Sequence, residues 1–98
     1  MRYRAGMTAL PSFAEFEAAA RAAGCTQVLE RRWAPGTVVD THTHDFAVDA
    51  LVTEGELWLT VGRQTRHLKA GDRFQLDPAC PHAERYGDAG AVYWVARK

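Results

Sequence analysis

The chain has 98 residues, 47% of them apolar, and its 12 lysines and arginines balance its 12 aspartates and glutamates. That length holds one domain around one core, and the apolar content favours packing over disorder. An even charge with no basic run excludes the electrostatic footprint of a nucleic-acid binder.

In chain order, Met1-Arg-Tyr-Arg-Ala-Gly-Met7 lacks the apolar centre of a signal peptide, and no apolar run approaches the ~18 residues that span a bilayer. The expected setting is cytoplasmic, with no membrane partner. Residues 1–11 show no period and read as an arm in which Tyr3 and Leu10 can pack locally. A helix over residues 12–24 follows. Ser12-Phe-Ala-Glu15 has the form of a capping box, the alanine-rich run to Ala23 favours helix, and Gly24 is a stop. Phe13, Phe16 and Ala20 fall on one stripe, so the helix is expected to pack against the rest of the chain, with the Glu17–Arg21 pair toward water.

From residue 25 to 98 the pattern changes to short β-rich runs between turn residues, the mark of an all-β domain. The runs are Thr26–Trp33, Thr37–His42, Val48–Thr53, Leu57–Val61, Thr65–Leu68, Arg73–Leu76, Ala83–Tyr86 and Val92–Ala96, with turns read at Pro35-Gly36, Glu54-Gly55, Gly62, Ala70-Gly71, Pro78 to Pro81 and Gly87 to Gly90. No intervening segment is long enough for a crossover helix, which excludes a parallel sheet. Cys25 and Cys80 are expected to remain reduced thiols.

The chemistry gathers around histidine. In a strand, His42 and His44 point the same way, with Asp40 beside them, and two imidazoles on one face can share a metal. His82 follows the turn at Pro78 to Pro81 and is the third candidate ligand. By the same alternation Glu84 and Tyr86 share the face of His82, which makes Glu84 a candidate fourth ligand, a partner that orients a ligand, or a catalytic acid or base. Three neutral imidazoles suit a divalent transition metal: zinc, iron, nickel, copper or, with oxygen donors added, manganese. His67 has no partner motif and is expected to be exposed. Trp33, Trp58, Trp94, Tyr93 and Phe74 read as core or interface residues, with Trp58 placed to wall a pocket if its face is interior.

The spacing resembles the two motifs of the cupin superfamily. The first runs from a glycine through His-x-His and a glutamate to a second glycine, and Gly36, His42, His44 and Gly55 match it. The second runs from a glycine through Pro-x-Gly to a histidine and an asparagine, and Gly71 and His82 match it. The resemblance covers Thr26 to Ala96. It implies a jelly-roll barrel of two antiparallel sheets whose mouth holds a small ligand, a metal on His42, His44 and His82, and a homodimer, for which Leu51 and Leu59 are spare apolar strand positions.

The departures are informative. Counted back from Gly55, the glutamate position is Val48; counted forward from His44 with the longer spacing, it is Asp49, which faces inward only with a bulge. Asp77 and Ala79 replace the proline and glycine of the second motif, and Tyr86 replaces its asparagine. The function so implied is a metal-dependent enzyme acting on a small oxygenated molecule, of dioxygenase, isomerase or lyase type, with Glu84 moving a proton. The alternatives are a non-catalytic module that binds or senses a small ligand, and a domain whose metal is structural.

Overall fold

The computed structural model describes residues 10–98, so most of the expected arm, Tyr3 included, lies outside the described residues. Helix α1 spans Phe13–Ala22, and six strands follow: β1 Gln27–Trp33, β2 Val38–His42, β3 Val48–Val61, β4 Gln64–Lys69, β5 Arg73–Leu76 and β6 His82–Arg97.

The helix begins and ends as its residues dictate. Ser12 Oγ accepts the Glu15 N–H at 3.0 Å, and Glu15 Oε1 accepts the Ser12 N–H at 2.8 Å, closing the capping box. At the other end Gly24, at φ 97°, donates to Arg21 and Cys25 donates to Ala20, which satisfies two of the carbonyls a helix terminus leaves open. Phe16 is buried in a small cluster with Leu51 and Ala96, Ala20 packs against it, and Phe13 meets Trp94 edge-on at 5.4 Å. The predicted stripe is therefore the packing face.

All strand pairs are antiparallel. Eight predicted runs become six strands because two pairs of runs are continuous. Val48–Thr53 and Leu57–Val61 join in β3, and Ala83–Tyr86 and Val92–Ala96 join in β6. These two long strands lie side by side and every other strand pairs with one of them: β1 and β2 with β6, β4 and β5 with β3.

Glu54-Gly55 and Gly87–Gly90, read from sequence as turns, are instead places where β3 and β6 shift register and bend without parting. Gly55 has φ 72°, and a Cβ there would stand 2.1 Å from the Gly90 carbonyl oxygen, so the close approach of the two backbones requires glycine. The bend wraps the sheet around a core that includes Ala50, Val52, Leu57, Leu59, Leu68 and Tyr86.

One expectation fails here. Leu51 and Leu59 are each only 2% exposed: Leu51 is covered by α1 and Leu59 lies in the main core. Neither is a spare position for a second copy. Cys25 and Cys80 are both free thiols, as expected.

Candidate metal centre

His42 closes β2 and His82 opens β6, and the two are register partners across the ladder. Just before them β2 carries one extra residue, because Val39 pairs with Glu84 while His42 pairs with His82. The bulge reverses the alternation. Val39 shares the inner face with His42, and Asp40 is exposed on the other side, so its expected place beside the histidines is not realised. Asp40 still acts on the site, since its backbone carbonyl accepts from His42 Nδ1 at 2.9 Å.

His44 lies beyond the end of β2, in the segment leading to β3. Paired backbone bonds between Ala47 and Lys98 hold that segment, and the Ala79 N–H donates to the His44 carbonyl at 2.7 Å. The ligand atoms of His42, His44 and His82 lie within 4.8 Å of one another, the only such group among the described residues. The three candidates that the sequence singled out thus meet in space.

Each imidazole is oriented by a backbone carbonyl two residues away. His42 Nδ1 faces Asp40 O, His44 Nδ1 faces Phe46 O at 3.3 Å, and His82 Nδ1 faces Cys80 O at 2.9 Å. A carbonyl only accepts, so each Nδ1 carries the hydrogen and each Nε2 keeps a free lone pair. This arrangement fixes the tautomer a metal needs, and the donor set fits a divalent transition ion. Burial holds the His44 imidazole below its ordinary pKa despite the Phe46 carbonyl, and the charges of His82, His42 and Arg97 push the same way, which keeps its nitrogen available as a neutral donor.

Glu84 lies beside two of the three histidines. It is only 8% exposed, and its Oε2 stands 3.6 Å from His82 Nε2 and 3.8 Å from His42 Nε2. Its other oxygen accepts the hydroxyl of buried Tyr86, which stacks on Trp33 at 4.9 Å. The carboxylate is thereby held with one oxygen occupied and the other turned to the imidazoles. Asp49 is elsewhere. Val48 lines the cavity at that point of β3, while Asp49 faces outward with Oδ1 3.7 Å from Arg73 Nη1. The glycine-anchored count was the correct one.

A cavity of about 120 Å³ opens on the histidines. Phe74 and Tyr93 belong to the core and Trp33 packs against it, as expected, and all three also line the cavity, whereas Trp58 does not. Trp58 stacks on His67 at 4.5 Å with the Arg85 guanidinium 4.1 Å above its ring, and exposed His67 has a partner after all, Glu56 Oε1 at 2.7 Å. Among the lining residues that sequence reasoning missed are Arg31, Phe46 and Arg97. Two of them were legible: Arg31 alternates with Leu29 and Trp33 in β1, and Arg97 with Tyr93 and Val95 in β6, and an arginine in an otherwise apolar alternation is a signal.

A family profile described as a cupin domain matches residues 29–96. The chain is a cupin. No curated protein matches its sequence. Its fold is that of an RmlC-like cupin from Shewanella frigidimarina, to which it is 22% identical with a TM-score of 0.64, covering 72% of this chain and 64% of that one. The DMSP lyase of Ruegeria pomeroyi is 24% identical, with a TM-score of 0.63 over 72% of this chain and 36% of the lyase. Bacillus subtilis oxalate decarboxylase, a protein with Mn(II) centres, is also 24% identical, with a TM-score of 0.66 over 72% of this chain and 20% of the decarboxylase. This cupin therefore spans less than two thirds of each, and at these identities the likeness is one of fold. It departs from the family motif at Ala79, yet Ala79 has φ 62°, so the left-handed turn is kept without the glycine that would adopt it freely.

Proposed function

We propose that this cupin is a metal-dependent enzyme acting on a small oxygenated molecule, with His42, His44 and His82 as ligands to a divalent transition metal. The observation that carries the reading is the set of three Nδ1–H bonds to backbone carbonyls, which leaves each Nε2 lone pair free, in three histidines whose ligand atoms lie within 4.8 Å of one another. A bound ion would supply Lewis acidity or a position for O₂. His82 and His42 hold their rings in register across the β2–β6 ladder, and Val48 rather than a carboxylate fills the side provided by β3. A site with three imidazoles and no fourth histidine is open to a substrate.

In this reading Glu84 moves the proton. Tyr86 holds Oε1, so Oε2 is the atom that takes a proton from substrate or returns it, and its distance from the two Nε2 atoms puts it beside the ligand set rather than behind it. The similarity to proteins named for lyase and decarboxylase activities supports a proton-transfer or elimination chemistry, and the Mn(II) of one of them supports a metal that accepts oxygen as well as nitrogen donors.

The test is the metal content of the purified protein beside His42→Ala and His82→Ala. About one transition ion per chain in wild type, lost from both variants, is the expected result. A wild type that takes up no metal even on reconstitution overturns the reading and leaves a small-ligand binding or sensing barrel.

A further inference from the structure

Two arginines line the cavity with donors to spare. Arg97 Nε is buried without a partner among the described residues and the Arg31 guanidinium makes no hydrogen bond or ion pair there, whereas Trp33 Nε1 faces the Tyr93 hydroxyl. Arg97 spends only one nitrogen elsewhere, Nη1 donating to Gln27 Oε1 at 3.1 Å. A buried donor left unsatisfied is costly, and arginines on the inward face of a strand are rare, so these guanidiniums are placed to receive an acceptor that enters the cavity.

Both guanidiniums are held in place by stacked rings. On one side His44 stacks on Phe46 at 4.3 Å, and Arg97 Cζ lies 4.6 Å from the centre of the Phe46 ring. On the other, Glu84 accepts from Tyr86, Tyr86 stacks on Trp33 at 4.9 Å, and Arg31 Cζ lies 4.8 Å from the centre of the Trp33 ring. Each ladder starts at the candidate metal centre and ends at a positive charge with unused donors. Such pre-positioning lowers the ordering cost of binding, and cation–π contact keeps each guanidinium planar over its ring without consuming its N–H groups.

We infer that the cavity recognises a small carboxylate, whose oxygens take the unused donors of Arg31 and Arg97 while the rest of the molecule faces His42, His44 and His82. The charge balance agrees. Against two arginines the cavity offers one carboxylate, Glu84, whose Oε1 is occupied by Tyr86 and whose Oε2 faces the imidazoles. The guanidinium fork matches a carboxylate in two parallel bonds, which water cannot reproduce with both charges neutralised. About 120 Å³ walled by Val39, Val48, Leu76 and Val95 leaves room for a short acid and not for a sugar or a nucleotide. The assignment rests on the proposed function for what happens to the ligand, but not for how its carboxylate is held.

The test uses malonate and its uncharged counterpart malonamide, with the protein as purified and its metal content measured on the same sample. Binding is followed by the indole N–H resonance of Trp33, identified by its loss in Trp33→Phe. Malonate is expected to shift that resonance and to bind at least tenfold more tightly than malonamide, and Arg31→Gln and Arg97→Gln are each expected to weaken it about tenfold. Arg97→Lys, which keeps the charge but not the fork, should recover part of the loss.

Malonamide binding as tightly as malonate overturns the inference and needs no variant. So does malonate affinity unchanged in both glutamine variants, which would put the carboxylate on the metal alone and leave the proposed function standing. Retained malonate binding in a wild type that holds no metal has the opposite meaning: it supports the inference while the metal reading fails.

Discussion

Ala79 donates its backbone N–H to the carbonyl of His44 at 2.7 Å from a left-handed conformation, φ 62°. The β5–β6 loop is thereby pinned to the segment that carries one candidate ligand, by a residue whose Cβ disfavours that geometry. Ala79→Gly removes the steric cost and keeps the N–H. It is expected to stabilise the domain by about 1 kcal/mol in urea unfolding, less any gain in unfolded-chain entropy, with metal content unchanged. A loss of stability would mean that the loop is not strained.

Glu84 and Tyr86 are expected to behave as a pair. Tyr86→Phe leaves a buried carboxylate oxygen without its donor and should lower unfolding stability by about 1–3 kcal/mol. Glu84→Gln separates the two roles open to the carboxylate. Retention of metal with loss of turnover is the expected result for a proton-transfer group, and release of metal would make Glu84 a ligand instead.

Acid should weaken the site. Burial, with the charges of His82, His42 and Arg97, holds His44 below 6.5, so just under that pH the unfolded chain binds a proton that the folded chain does not. Stability therefore falls as pH drops from 6.5 through the folded value and is level above it. Metal release runs in the same direction, because each imidazole must be neutral to offer Nε2. Urea midpoints and metal content between about pH 5 and 8 check both, and a midpoint that rises on acidification would contradict the sign.

Alkali should act through the tyrosines. Burial, joined by Tyr93 and the Glu84 carboxylate, raises Tyr86 far above its ordinary value, and burial followed by Glu84 raises Tyr93. The unfolded chain loses these protons near pH ~10 while the folded chain keeps them, so stability falls as pH rises past that point. The fall should be shallower in Tyr86→Phe, and an equal slope in the two proteins would remove Tyr86 as its source.

At Gly55, whose added Cβ would stand 2.1 Å from the Gly90 carbonyl oxygen, Gly55→Ala should cost about 2–4 kcal/mol, because backbone atoms of both long strands must separate. A cost below about 1 kcal/mol would show that the crossing yields easily.

Much of this cupin was legible before any coordinates. Ser12, Glu15 and Gly24 mark the helix because capping is a property of a few neighbouring residues. His42, His44 and His82 were legible because the motifs that carry them have fixed spacing, and the turn before His82 is local. Reading through Gly55 and Gly90 failed for the opposite reason. Whether a glycine ends a strand or bends it depends on the strand alongside, and β3 and β6 are distant in sequence.

What the sequence by itself determined is the set of short-range facts: one helix and its packing stripe, an antiparallel β domain, and three histidines at family spacing. Only the tertiary structure decided which way the residues around them face. One extra residue in β2 turned Asp40 outward and Val39 inward, the register of β3 put Val48 rather than Asp49 at the cavity, and stacking of Phe46 and Trp33 placed Arg97 and Arg31 over their rings. Side-chain direction in a strand has a period of two residues, so a single bulge reverses it, and a bulge is fixed by pairing with a partner strand that local sequence does not contain.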